Sequence, residues 1–255
     1  MSVLKIYRYS ASSIQKLKNV AIVHPSLIKV YDGCKVLYWN DRVLNILPGQ
    51  VVFLSGGQRI TFDNEVCGNR FRSIQISLLS EPKKVDRINS NVRHTPLIDG
   101  SDFINNIFDM AINLELSNKS DLVQEGWFNL LCNYLKDFNE LDSFFGSNTC
   151  KLSQQLRIYF AKDLNYDHKL EDYAHKFSMS RSTFIRKLKD ENTTFGAVLK
   201  ETRLSCSLCY LQDGLNAKDV SKNCGFSSFS RFKNDFLNQF NFSIEEYIDS
   251  MGSIC

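Results

Sequence analysis

Two short stretches of this chain carry side chains suited to reading a nucleic acid. The first is Arg181–Glu191, RSTFIRKLKDE. Phe184 and Leu188 recur at a spacing of four and share one helix face, which turns Arg181, Ser182, Thr183, Ile185, Arg186, Lys187 and Lys189 outward. An outward arginine can take guanine O6 and N7 together, small hydroxyls can bond to base edges, and lysines meet phosphates. The second stretch is Ser228–Phe240. Phe232, Phe236 and Phe240 recur at every fourth residue and leave Ser228, Phe229, Ser230, Arg231, Lys233 and Asn234 outward, with no acidic residue before Asp235. Phe229 can lie against a thymine methyl, which favours an A·T-rich site. The formal net charge of the 255 residues is only +3, so total charge does not point to a polyanion. Its placement does: Lys176–Arg203 holds seven Lys/Arg against three acidic residues, and phosphate contacts act within a Debye length.

The elements that must hold these side chains are legible in the spacing. Leu170–Phe177 reads as a short helix, Ser178-Met179-Ser180 as a turn, and Ser180 as the cap of the first outward-facing helix. Lys218–Cys224 reads as another short helix, closed by Gly225 at C′, with Ser227 or Ser228 capping the second outward-facing helix. A short helix, a tight turn and an amphipathic second helix make a helix-turn-helix, here twice, with Ser180 and Ser227 47 residues apart. Leu152–Asp163 and Thr194–Leu211 are further amphipathic helices beside the first unit.

This C-terminal part resembles the DNA-binding domain of the AraC/XylS family of bacterial transcription regulators. The resemblance rests on Gly225-Phe226-Ser227-Ser228, then Phe232, Phe236 and Phe240, then Glu246-Tyr247, and on the matching unit upstream with Arg203 where the family has its linker-helix arginine. The chain departs from the pattern at Asn241 (usually Gly), Ile244 (usually Pro), Ser207 (usually Ala), and at Leu237 and Ile248, where the family tends to be basic. Asn tolerates the left-handed backbone a Gly would adopt, so the turn at 241 is expected to survive. The resemblance implies a cytoplasmic transcription regulator, usually an activator, that binds double-stranded promoter DNA and works with RNA polymerase. Its two recognition helices would sit in successive major grooves on one face of the DNA. Carried over by position, Ser182, Thr183 and Arg186 read bases, Lys187 and Lys189 meet phosphates, and Ser228, Phe229, Ser230, Arg231 and Asn234 belong to the second contact. Within the family the layout is similar to virulence and stress regulators of enteric bacteria.

Ahead of this lies a β-rich region. Leu4–Tyr9, Val20–His24, Leu27–Tyr31, Cys34–Trp39, Arg42–Ile46, Val51–Leu54, Arg59–Phe62 and Arg72–Leu79 are short Val/Ile/Phe/Tyr-rich runs separated by turn signals such as Asp32-Gly33, Asn40-Asp41 and Gly56-Gly57. Many short strands so punctuated suggest a sandwich or barrel. Leu47–Leu54 resembles the turn-and-strand signature of small cupin barrels, a regulatory domain that AraC/XylS members often carry. Metal-dependent cupins converge two or three His and a Glu; only His24 and His94 occur here, so neither a metal nor another cofactor is expected. Arg42, Arg59, Arg70, Arg72, Lys83 and Lys84 could meet an anion, but they read as scattered surface charge, and no ligand-binding residue is assigned. A metal-free cupin enzyme with an appended helical domain is the rival reading. Its loose acid/base candidates are Tyr31, Asp32, Tyr38 and Glu65.

Between the two parts, Asp99 or Ser101 caps a helix through Leu114, and Ser120 or Asp121 caps a second. The second helix, 121–138, has an apolar band wider than one packing face requires, which suits a homodimer interface and a buried helix equally. Asp142–Lys151 reads as a polar linker. The expected architecture is therefore α+β: residues 1–145 a cupin-like β-barrel with flanking helices for regulation or dimerisation, 152–255 an all-α domain with two helix-turn-helix motifs. The barrel's partner stays open between a small molecule such as a fatty acid, an anti-activator protein, and none. Eight scattered cysteines amid apolar neighbours read as buried free thiols of a reducing cytoplasm, Cys206 and Cys209 as helix packing. No run approaches a membrane span, and the start lacks the long apolar run of a secretory signal.

Overall fold

The computed structural model describes residues 2–82, 96–146 and 151–251. Lys83, Lys84, His94, Cys150 and Cys255 lie outside the described residues. The N-terminal part contains β1 (Leu4–Ala11), β2 (Gln15–Ala21), β3 (Ser26–Asp32), β4 (Cys34–Trp39), β5 (Arg42–Ile46), β6 (Val51–Leu54), β7 (Arg59–Glu65), β8 (Phe71–Leu78) and β9 (Leu97–Asp99). They form two sheets, ordered β1-β8-β3-β6-β9 and β2-β7-β4-β5, antiparallel throughout. The expected barrel is thus two facing sheets that do not close on each other. The expected strand at Val20–His24 begins earlier, at Gln15, because Gln15 and Leu17 already turn inward. At its other end Ile22 leaves the ladder to bond with Gln58 and Gly57. The three-residue β9 has no sequence signal of its own; it exists by pairing with β6.

The first sheet is covered on both sides, which explains why β3 and β6 read as nearly continuous apolar runs. Its outer face packs under α1 (Asp102–Asn113), α2 (Asp121–Asp137) and α3 (Leu141–Gly146), through Leu27, Phe53, Ile76, Ile107, Phe108 and Trp127. Ser101 caps α1 as expected, accepting from the Ile104 N–H. Lys29, buried on this face, donates to both oxygens of Asp109 at 2.8 Å, and Tyr31 donates to the same carboxylate at 2.9 Å, which pins α1 to the sheet. The expected polar linker is corrected by α3: Phe144 and Phe145 are 5% and 3% exposed, so the aromatic pair draws the segment into the core. Residues 147–150 lie outside the described residues.

The C-terminal part comprises α4 (Leu152–Phe160), α5 (Leu170–Lys176), α6 (Arg181–Asp190), α7 (Phe195–Gln212), α8 (Ala217–Asn223), α9 (Phe229–Phe240) and α10 (Ile244–Met251). The first unit packs around Phe160, Tyr173, Phe184 and Val198. The second unit has no separate core. Leu208, Val220, Phe232, Phe236, Phe240 and Tyr247 are continuous with Leu17, Ile60 and Phe62 from between the sheets. The apolar cores therefore do not divide between the N-terminal and C-terminal parts of the chain.

Candidate nucleic-acid interface and interdomain cavity

Each outward-facing helix is started by a serine. Ser180 Oγ accepts from the Thr183 N–H at 3.2 Å, and Ser228 Oγ from the Arg231 N–H at 3.2 Å. Ser178 takes the left-handed conformation that turns the chain between α5 and α6, φ 54°. Gly225 does the same between α8 and α9 with φ 73°, and a Cβ there would lie 2.6 Å from Arg203 Nη2 and 2.7 Å from the Leu164 carbonyl. Arg203 accordingly packs into that turn and donates to the Leu164 carbonyl at 2.9 Å and the Tyr166 carbonyl at 3.3 Å. Asn241 closes α9 in the left-handed region, φ 54°, so the missing glycine is tolerated. His168 steadies the loop before α5: its Nε2–H donates to the Asp163 carbonyl at 2.8 Å, and Nδ1 accepts from Tyr173 Oη at 2.6 Å. Burial holds this imidazole below its ordinary pKa.

On α6, Phe184 and Leu188 are buried, whereas Ser182, Ile185, Arg186, Lys187 and Lys189 are exposed and Thr183 is half-buried. Among the described residues, no acidic group pairs with Arg186, Lys187 or Lys189, whose charges are free for a ligand; Arg181 meets Glu171 at 2.9 Å. On α9, Ser228, Ser230, Arg231 and Asn234 are exposed. Phe229 is half-buried with its ring 6.4 Å from Phe232, so only part of it faces out. Arg231 lies 3.7 Å from Asp235, which also meets Lys200 at 3.1 Å, and Lys233 pairs with Glu245. The first face thus offers unpaired cations, the second a mostly hydroxyl and amide surface. Leu237 and Ile248, at usually basic positions, are exposed.

Both units are docked on the sheets. Glu201 of α7 joins Arg157 of α4 at 2.7 Å and Arg59 of β7, with Arg157 and Glu201 side chains 4% and 6% exposed. Gln154 Nε2 donates to the Val23 carbonyl at 2.6 Å, Gln239 Nε2 of α9 to the Asn19 carbonyl at 2.7 Å, and the Ser12 N–H to the Ser250 carbonyl at 2.7 Å.

Between the sheets and α7 lies a cavity of about 180 Å³. Leu17, Val20, Ile60 and Phe62 line one wall and Tyr7, Ser73, Gln75 and Ser77 the other; Leu208, Cys206 and Cys209 of α7 close it. Cys209 Sγ lies 3.0 Å from Tyr9 Oη, and burial pushes this thiol up to about 11. Burial also raises Cys206, so both thiols line the cavity as neutral groups rather than serving packing alone. Cys67 corrects the expectation of buried thiols, for it is exposed. Among the described residues, Ser73 Oγ is buried without a hydrogen-bond partner. The group that sequence reading missed is Lys35, which lines the cavity at 4% exposure. Its Nζ donates to Asn64 Oδ1 at 2.5 Å and stands 3.7 Å from the centre of the Phe62 ring. Burial lowers its pKa to about 7. The signal available was a lone lysine two residues before buried Leu37 in an apolar strand. Of the arginines weighed for an anion, none lines the cavity; Arg59 serves Glu201, and Arg70 and Arg72 meet Asp32. Tyr31, Asp32, Tyr38 and Glu65 also lie outside it and do not converge.

The family model of a helix-turn-helix domain matches residues 173–250, from α5 to α10. The transcriptional activator AggR of Escherichia coli is 28% identical over 109 residues, 42% of this chain and 41% of AggR. The DNA-binding dual transcriptional regulator Rns of Escherichia coli is 24% identical over 196 residues, 76% of this chain and 63% of Rns. Residues 173–250 of the chain thus form a helix-turn-helix domain, and the chain is similar to these transcription regulators. The match spans less than two thirds of either relative's length. The crystal structure of unsaturated-fatty-acid-bound ToxT from Vibrio cholerae superposes with a TM-score of 0.64 at 14% identity, over 100% of this chain and 98% of ToxT. That likeness covers both parts of the fold, the two-sheet N-terminal architecture as well as the paired helix-turn-helix units. Among the described residues no helix is long and apolar enough to cross a membrane.

Proposed function

We propose that the chain is a sequence-specific, DNA-binding transcription activator of the cytoplasm whose DNA reading is controlled by a small apolar anion in the interdomain cavity. The observation that carries the DNA reading is the pair of serine-capped helices with exposed polar faces, α6 with its unpaired Arg186, Lys187 and Lys189. Arg186, Ser182 and Thr183 would read bases; Lys187 and Lys189 would hold phosphates; Ser228, Phe229, Ser230, Arg231 and Asn234 would make the second contact. The names of AggR and Rns support transcription control as the activity, with promoter DNA and RNA polymerase as partners. No enzymatic step is assigned, because the acid/base candidates lie apart.

The cavity supports the regulatory half. It is apolar along one wall and holds one buried lysine, a combination suited to a carboxylate with a hydrocarbon body. Its volume is near that of the ~150 Å³ cavity that accepts benzene, so an occupant of about ten non-hydrogen atoms, such as octanoate, fits. The fatty acid in ToxT is consistent with this class. A homodimer through the outer face of α2 is a further part of the proposal, since Leu122, Leu130 and Phe138 are exposed there.

The test is genome-wide recovery of DNA bound to the full-length protein, beside Arg186→Ala. Sharp promoter peaks lost in the variant bear out the reading. Peaks that persist in the variant refute the role of Arg186, and no peaks under any growth condition refute the regulator. Calorimetry with octanoate and with 1-octanol tests the cavity: octanoate binds and the alcohol does not, and equal binding refutes the role of Lys35.

A further inference from the structure

The hydrogen bond from Lys35 to Asn64 is the first link of a longer chain. Asn64 Nδ2 donates to Gln15 Oε1 at 2.9 Å, Gln15 Nε2 donates to Ser250 Oγ at 2.9 Å, and Ser250 Oγ donates to the Tyr247 carbonyl at 2.6 Å. Gln15, Lys35, Asn64 and Ser250 are all buried, at 1%, 4%, 3% and 3% exposure. The chain starts at the cavity wall, where Lys35 and Asn64 lie, and ends on α10; Gln15 and Ser250 do not touch the cavity. At its far end Tyr247 packs on Phe236 of α9, ring centres 5.9 Å apart, and its hydroxyl accepts from Gln212 of α7 at 3.1 Å.

We propose that this buried chain transmits the occupancy of the cavity to α10, and through it to the second DNA-reading unit, with Asn64, Gln15 and Ser250 as positioning residues. The proposal rests on the anion reading of the cavity given above. Every donor in the chain points toward α10, and this polarity is set by Lys35, because an ammonium can only donate. A carboxylate can only accept. When an anion takes the ammonium, Asn64 turns its Nδ2 toward it. Its oxygen then faces the Gln15 oxygen, so Gln15 turns as well, and its carbonyl draws the Ser250 hydroxyl away from Tyr247. In either polarity each side-chain group of the chain keeps a partner. A half-turned chain sets two buried acceptors head to head, each desolvated and without a donor. The chain therefore has two discrete arrangements, which is what a coupling element between two sites requires. Its far end changes the partner of Ser250, whose carbonyl also holds the Ser12 N–H of the β1–β2 turn.

The test uses the full chain, octanoate and a DNA fragment recovered as above. Octanoate affinity is measured by calorimetry, and DNA affinity with and without saturating octanoate, for the wild type, Ser250→Ala and Ser250→Thr. In the wild type octanoate changes the DNA Kd by about fivefold or more, the lower end of ordinary allosteric coupling. Ser250→Ala binds octanoate within about twofold of the wild type, yet octanoate changes its DNA Kd by less than about twofold; Ser250→Thr, which keeps the hydroxyl, restores the response. If Ser250→Ala does not fold, Gln15→Met interrupts the chain at its middle and is read in the same way. A full response in the Ser250→Ala or Gln15→Met protein overturns the proposal, as does octanoate that binds the wild type without changing its DNA affinity; in both cases the cavity reading stands. Failure of the wild type to bind octanoate sinks that reading and the proposal with it.

Discussion

Lys35 is the side chain on which the regulatory reading turns, and its environment makes a direct prediction. Burial favours its neutral form and brings its pKa to about 7. An unfolded lysine titrates near 10.4, so between about pH 7 and pH 10.4 the unfolded chain binds more protons than the folded one. Stability attributable to Lys35 therefore rises with pH across that window, and below pH 7 the full deficit is present. Lys35→Met keeps the stem and removes the charge. The variant should melt several degrees higher than the wild type at pH 7, lose that rise at alkaline pH, and no longer bind octanoate in calorimetry. A lower melting temperature with retained octanoate binding would contradict the assignment. His24 acts in the acid range: burial, then Lys5 and Lys162, lower it to about 4. Its stability contribution is complete above about pH 6.5 and falls as pH drops toward 4, so thermal melts should show an acid-side loss that His24→Gln reduces.

At the scale of elements, the helix-turn-helix units were legible because their determinants are local. A capping serine, a spacing of four between phenylalanines and a glycine or asparagine after the last turn are all written in neighbouring residues, and Ser180, Ser228, Gly225 and Asn241 stand where that reading puts them. What escaped the sequence is set by distant partners. The three-residue β9 exists only through β6, Phe144 and Phe145 turn a polar-looking linker into α3, and Lys35 gains its meaning from Asn64 and Phe62 across a sheet. The merger of the second unit's core with the space between the sheets is likewise invisible to periodicity, which shows that a face is buried but not against what. The turn at Gly225 supplies the prediction of this scale. Alanine there meets both a left-handed φ of 73° and contacts of 2.6 and 2.7 Å with Arg203 and the Leu164 carbonyl. Gly225→Ala should destabilise by about 2 kcal/mol or more, lowering the melting temperature by about 4 °C or more. A change of less than a degree would mean that the turn is not built on Arg203 as described.

Over the whole molecule, the sheets and the C-terminal helices are joined by buried polar contacts as well as by a shared core. Glu201 is the centre of that junction, placed between Arg157 of the first unit and Arg59 of the sheets. Replacing it with glutamine leaves Arg157 buried without a counter-charge, and Arg157 Nε already lacks a partner. Glu201→Gln should cost about 3–5 kcal/mol, and amide exchange should rise in residues 152–160, whose docking depends on it. An unchanged melting temperature would show that the junction is held by the apolar core alone. On the proposed function, the N-terminal sheets constrain the mutual placement of the two DNA-reading units, so a ligand between the parts is well positioned to alter DNA affinity without touching the DNA.

On the proposed function, α6 and α9 together recognise a particular DNA sequence. The most direct measurement is the Kd of the full chain for a recovered promoter fragment and for a scrambled fragment of the same length and composition, taken from about 50 to 200 mM salt. Specific recognition gives a preference of about a thousandfold or more for the promoter fragment, a Kd that rises steeply and log-linearly with salt, and a slope reduced by about one in Lys187→Ala with the preference intact. Equal affinity for the two fragments at every salt concentration would show that α6 and α9 do not recognise a sequence.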